Sequence, residues 1–157
     1  AASKANLDDF RNYMQIQTIG HDKLNQLRHV RFFDGKFENL LKHMKKHQAL
    51  IRPKFDIVIN TLEKELGDLG IATWSNPQGG YFISFNMEGC AKRIVTLCKE
   101  AGVVLTGAGA SFPYGKDPKD ENIRLSPTFP TEEELQEAMN VFVVSAKLAA
   151  CEKLLAE

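Results

Sequence analysis

The feature that most limits what this chain can become is a change of period near residue 70. From Lys36 to Leu66 apolar residues recur at three- and four-residue spacings. Phe37, Leu40, Leu41 and Met44 form one stripe; Phe55, Val58, Ile59, Leu62 and Leu66 form another. Such spacing lines one side of a helix that turns every 3.6 residues. Beyond Gly67 and Gly70 strict alternation takes over. "IATWS" (71–75) and "YFISF" (81–85) flank "NPQGG", whose proline and paired glycines favour a turn between antiparallel strands. Pro53 separates the two helical stripes and predicts a kink or a break, because it has no amide donor and crowds the preceding turn. A helix this long, with a change of stripe, can lie across two domains rather than within one.

The rest of the chain follows the same two periods. Leu7, Phe10, Tyr13 and Met14 predict a short helix over 5–14, and "IQTIG" (16–20) a turn or short extended stretch. Asp22 can cap a second helix through about Phe33, which Asp34-Gly35 ends. After the hairpin, Ile94, Leu97, Cys98 and Ala101 mark a helix from about Gly89 to Ala101, stopped by Gly102. "VVLT" (103–106) reads as a short buried strand, "GAGASFPYGKDPKDE" as a loop, and "NIRLS" as the next strand. Thr131 and Glu134 form a T-x-x-E capping box for the last helix, whose buried side is Leu135, Met139, Phe142, Ala146 and Ala149. Residues 71–157 thus read β-β-α-β-β-α. The expected fold is an α/β two-layer sandwich: a small, mostly antiparallel sheet with helices on one face, preceded by a long helix.

At 157 residues, with 43% hydrophobic and 25% charged side chains, the chain has material for one packed domain, or one domain plus an appendage. Twenty basic residues balance twenty acidic ones, so no net field draws it to nucleic acid or to an anionic membrane, and neither is expected as a partner. Cys90, Cys98 and Cys151 are an odd set and read as buried reduced thiols. No apolar run suits a membrane span, and the start lacks the apolar core of a signal peptide, so the cytoplasm is the expected location. The first residue is not Met and meets no element boundary. The chain is therefore expected to be a piece of something longer.

Most candidate chemistry resolves into ordinary structure. Gly107 and Gly109 follow an expected strand, but no helix opens after them, as a phosphate cradle would need. His43 and His47 share a helix face without a matching third ligand, and sit among lysines as a solvated basic face would; no metal is expected. His21 and His29 offer no better constellation, and there is no C-x-x-C or G-x-S-x-G motif. Lys4 lies too near the end to be desolvated and held as a catalytic lysine must be, and reads as exposed. No residue is assigned a catalytic role.

Arg124 is different. It alternates with Ile123 and Leu125 on a short strand, beside the polar Asn122 and Ser126. A strand is a rigid mount, and a planar guanidinium matches a carboxylate with two parallel hydrogen bonds. A structural ion pair with an internal acid and a ligand carboxylate are both open on these grounds.

The series "NPQGGYFISF", a helix, "GVVLTGAGASF", a loop, "NIRLSP" and a final amphipathic helix resembles the C-terminal small domain of class I/II, fold type I, pyridoxal-phosphate-dependent aminotransferases. The upstream "TIGHDKLNQLRHVRFF" and "HMKKHQALIRPKF" resemble more narrowly the bacterial aspartate-aminotransferase-like branch, sometimes labelled MocR-like. The resemblance covers essentially the whole chain. It implies that Arg124 binds the substrate α-carboxylate, and that Gln17, Thr18 and Arg28 are cofactor contacts. It further implies pyridoxal 5'-phosphate as cofactor, amino acid and 2-oxo acid substrates, and a homodimer in full-length form. Thr106-Gly107-Ala108-Gly109 departs from the family's usual Pro-Gly, so that turn is expected to differ. The family's Schiff-base lysine, ring-stacking aromatic and pyridinium-pairing aspartate belong to a large domain expected upstream of residue 1. Lys4 lacks the Gly-Arg surroundings of that lysine.

The expected organisation is a large-domain tail over 1–35, an interdomain helix over 36–70 and the small domain over 71–157. The chain alone is expected to be inactive and the parent to be a transaminase whose donor is an amino acid such as aspartate. The competing expectation is a free-standing α/β interaction or ligand-binding module without catalysis.

Overall fold

A computed structural model describes residues 2–156. Its chain divides into two compact units, residues 1–47 and 48–157, with the division inside one long helix. In the first unit α1 (Lys4–Thr18) is capped by Ser3, whose Oγ accepts from the Asn6 amide at 3.3 Å. It runs through Ile16 and Gln17, where a turn or extended stretch was expected. Thr18 ends it, with its hydroxyl donating to the Met14 carbonyl at 2.8 Å. The helix α2 (Lys23–Phe32) starts at Asp22, which accepts from the Asn25 amide at 2.9 Å. Neither helix buries a residue: Phe10, Tyr13, Ile16, Leu24, Leu27 and Phe32 are all exposed.

The long helix α3 (Phe37–Leu66) contains Pro53 in its interior, and the helix runs through it unbroken. The missing amide leaves the Ala49 carbonyl without its helical partner. Ala49 is exposed, so solvent can take that role, and of the kink or break expected from the sequence the break does not occur.

The second unit is built on a three-stranded antiparallel sheet of β1 (Thr73–Trp74), β2 (Ile83–Asn86) and β3 (Asn122–Leu125), in that order. Trp74 faces Phe85 and Thr73 faces Asn86; Ile83, Ser84, Phe85 and Asn86 face Leu125, Arg124, Ile123 and Asn122. Because side chains alternate along a strand, Ile83, Phe85, Ile123 and Leu125 share one face and all are buried. Against them pack α3, α4 (Ala91–Glu100) and α5 (Glu132–Ala156), through Val58, Leu62, Ile94, Cys98, Met139 and Phe142. The Phe85 ring meets Phe142 edge-on at 5.0 Å. Each such buried side chain contributes about 1.5–3 kcal/mol of transfer free energy, which makes this the layer that holds the unit together. The two-layer α/β fold expected from the sequence is the one observed.

Two further expectations need correction. Residues 103–106 form no strand: Val103 and Leu105 pack partly against the core, but Val104 is 83% exposed and no strand among the described residues lies beside it to complete a ladder. The unit therefore reads β-β-α-β-α. Cys90 and Cys98 are buried, whereas Cys151 is exposed on α5.

Polar contacts lock the helices. The capping box forms as expected: the Glu134 amide donates to Thr131 Oγ1 at 3.2 Å, and the Thr131 amide to Glu134 Oε2 at 2.9 Å. Arg93 grips Glu152 with two bonds of 2.6 and 2.7 Å, joining α4 to α5. Lys147 reaches Glu65 at 2.7 Å, joining α5 to α3. Lys54 donates to the carbonyls of Thr128 at 3.0 Å and Pro130 at 2.5 Å, which fixes the segment leaving β3.

Candidate functional site

The second face of the same sheet is polar. The register that buries Ile83, Phe85, Ile123 and Leu125 turns Ser84, Asn86, Asn122 and Arg124 to the opposite side. Asn122 is only 7% exposed, and its Nδ2 donates to Ser84 Oγ at 2.9 Å and to Asn86 Oδ1 at 2.7 Å. Its own Oδ1 is buried and accepts nothing among the described residues.

Arg124 stands next to it on this face and is half-buried. Its guanidinium carbon lies 4.4 Å above the centre of the Phe82 ring, a cation–π stack that orients the plane of the fork. Its Nε–H is fully buried and donates to nothing among the described residues. Among the described residues Arg124 enters no ion pair. A strand arginine that balanced an internal acid would show that acid within about 4 Å. Here the charge is stacked on an aromatic ring and left unneutralised. Ser126, the other polar neighbour noted in the sequence, is exposed beyond the end of β3.

A loop over 107–121 is tied to this edge. The Asp117 carboxylate accepts the amides of Lys119 at 3.0 Å and of Glu121 and Asn122 at 2.8 Å each. Burial alone would raise the Asp117 pKa, but these three donors, with Lys92 nearby, together hold it below its ordinary value. The loop folds tightly: Gly109 has φ +77°, and a Cβ built on it would lie 2.8 Å from the Gly115 carbonyl oxygen. No other residue type fits there. The Gly109 amide in turn donates to the Asn122 carbonyl at 3.3 Å. Thr106-Gly107-Ala108-Gly109 thus makes its own turn against β3.

Sequence reasoning singled out Arg124 and its polar neighbours. It missed Phe82, Ser84, Asn86 and Asp117. The first three follow once the strand register is known, since they lie on or beside β2, opposite β3. Asp117 was signalled only by its place in "GKDPKDE", a composition typical of turns.

The remaining candidates lie in the first unit. Gln17 and Thr18 end α1 and Arg28 lies on α2; all three are exposed. An amide, a hydroxyl and a guanidinium are donor chemistry suited to a phosphate group. Lys4 is the first residue of α1 and is exposed. His43 and His47 approach each other with their Nε2 atoms 3.0 Å apart, and no cluster of three or more potential metal ligands occurs among the described residues. No helix among those residues is long and apolar enough to cross a membrane.

Comparison with known proteins gives one consistent result. A family model described as aspartate amino-transferase matches residues 1–157. An aspartate aminotransferase of Corynebacterium glutamicum is 46% identical over 138 residues, which are 87% of this chain and 32% of that protein. The crystal structure of an aspartate transaminase from the same species superposes with a TM-score of 0.83 at 42% identity, covering 97% of this chain and 36% of that one. An α-aminoadipate aminotransferase of Thermus thermophilus, solved with N-(5'-phosphopyridoxyl)-L-leucine, has a TM-score of 0.68 at 18% identity over 96% of this chain, a likeness of fold. The chain spans about a third of the length of the curated relatives it matches.

Proposed function

The chain belongs to the aspartate amino-transferase family, and from that premise we propose that it is the C-terminal part of a transaminase in which Arg124 binds the α-carboxylate of the amino acid substrate. The observation that carries this is an arginine on a core strand with no acid partner among the described residues and an aromatic ring beneath it. A charge left unpaired at a half-buried place is costly unless something outside the described residues neutralises it. A substrate carboxylate is the complementary group, and the fork matches its two oxygens.

In this reading residues 1–35 are the tail of the large domain, 36–70 the interdomain helix and 71–157 the small domain. The exposed apolar residues of α1 and α2 support the first assignment, since surface of that kind calls for a covering partner. Gln17, Thr18 and Arg28 would contact pyridoxal 5'-phosphate, which when bound supplies the electron sink for the chemistry at the substrate α-carbon. What this chain contributes is position. Asp117 pins the loop and β3, Phe82 fixes the plane of the guanidinium, and Arg124 holds the acid group. The reacting bond is thereby oriented without Arg124 taking part in bond making. The upstream lysine that anchors the cofactor would come from the large domain, so the isolated chain would not turn over. The parent works as a cytoplasmic homodimer on amino acids and 2-oxo acids, with aspartate the donor suggested by its named relatives.

Arg124→Ala in the full-length protein tests the assignment. The expected result is a raised donor KM and a kcat/KM lowered by about 1.5–3 kcal/mol, roughly ten- to 150-fold, as for a lost charged hydrogen-bond pair. Wild-type kinetics would reject it.

A further inference from the structure

Two buried polar atoms on the candidate face have no partner among the described residues, and they are complementary. Arg124 Nε carries a hydrogen to donate, and Asn122 Oδ1 has lone pairs to accept it. The two residues are two apart on β3, so their side chains leave the same face of the sheet. Buried groups of this kind are almost always paired, and exceptions call for a physical account. The Nε atom is closed to solvent, so an incoming carboxylate cannot take the side of the fork made by Nε and one terminal nitrogen. It must be gripped end-on, by Nη1 and Nη2. That leaves Nε–H to be satisfied from within.

The acceptor oxygens around Asn122 already have donors. The Asp117 carboxylate is engaged by three main-chain amides, and the oxygens of Ser84 and Asn86 already accept from Asn122 Nδ2. Those same two bonds anchor the Asn122 amide, with its oxygen left over. Resting on the reading of Arg124 as the carboxylate ligand, we propose that Asn122 is its positioning residue: Oδ1 accepts the Nε–H when the terminal nitrogens take a carboxylate end-on. Phe82 restrains the tilt of the guanidinium plane, and Asn122 fixes its rotation within that plane. Both orphaned atoms are then paired only in the liganded state, so part of the binding preference for a carboxylate is built into β3 itself.

The test uses the full-length holoenzyme and succinate, a dicarboxylate with no amino or oxo group to react. Asn122→Ala removes the acceptor. Succinate binding should weaken about five- to tenfold and donor KM should rise by the same factor, while kcat stays within about twofold. Asn122→Asp keeps the size and adds a negative charge that competes for the guanidinium, so its loss should exceed about tenfold. A generally loosened structure would instead lower kcat with KM. If both Asn122 variants bind succinate as the wild type does while Arg124→Ala loses it, the inference falls and the carboxylate assignment stands. If Arg124→Ala also binds normally, the assignment itself falls. Should the variants not fold, a crystal structure of the wild type with succinate decides. An Nε to Oδ1 distance of about 2.9 Å supports the inference, and one beyond about 3.5 Å overturns it.

Discussion

The two faces of one small sheet make opposite statements. On the first, Ile83, Phe85, Ile123 and Leu125 are closed over by three helices, and every apolar surface has its match within the chain. On the second, Asn122 and Arg124 stand on the same strand, set by the same register, and each keeps a buried polar atom without a partner among the described residues. The apolar face is complete in itself. The polar face is complete only with something added, and the kind of thing it lacks, an acid group, follows from a guanidinium that has no acid partner among the described residues.

The comparison can be broken by substitutions on either side. The largest stability effect belongs to Phe85→Ala, which empties the centre of the apolar layer beside Phe142 and Trp74. Denaturant unfolding should show a loss of about 3–5 kcal/mol. On the other face Arg124→Ala should change stability by less than about 1 kcal/mol in the same assay, because it removes an unpaired group rather than a pair. A loss as large as that of Phe85→Ala would mean the arginine is structural.

Asp117→Asn should act between these extremes. It weakens the hold on three amides and loosens the loop from β3. Faster amide exchange at Lys119, Glu121 and Asn122 is expected, with a raised donor KM.

Acid should erode the molecule through its paired carboxylates. Lys147 lowers the Glu65 pKa, chiefly through its hydrogen bond, and Arg93 does the same for Glu152; Asp117 is lowered by its amide donors against the pull of burial. A group whose folded pKa is depressed stabilises fully above its unfolded value and loses that contribution as pH falls through the folded one. Denaturation midpoints should therefore hold steady down to about 4.5, the ordinary glutamate value, and fall below it. The smallest effect expected is that of Glu152→Gln at neutral pH, a small drop in Tm, since the Arg93 pair is well exposed to water.

Much of this was legible in the sequence wherever a local pattern decides the outcome. The stripe from Leu135 to Ala149, the box of Thr131 and Glu134 and the cap at Asp22 all depend on residues within a few positions of each other. The polar alternation around Arg124 was visible for the same reason. Residues 103–106 have the composition of a strand, but a strand exists only beside another edge, and none meets it among the described residues. Pro53 lies inside a continuous helix, where the Ala49 carbonyl it frees is exposed to water. The stack of Phe82 under Arg124 and the return of Asp117 to the Asn122 amide require distant segments to be brought together by the sheet. The two orphaned atoms could be recognised only once those partners were in place.

The most direct measurement is a calorimetric titration of succinate into the full-length holoenzyme and its Arg124→Gln variant, which removes the charge at little cost in volume. At least a tenfold loss of affinity, with an unchanged unfolding midpoint, is the predicted result. Equal affinity in the two proteins would contradict the account.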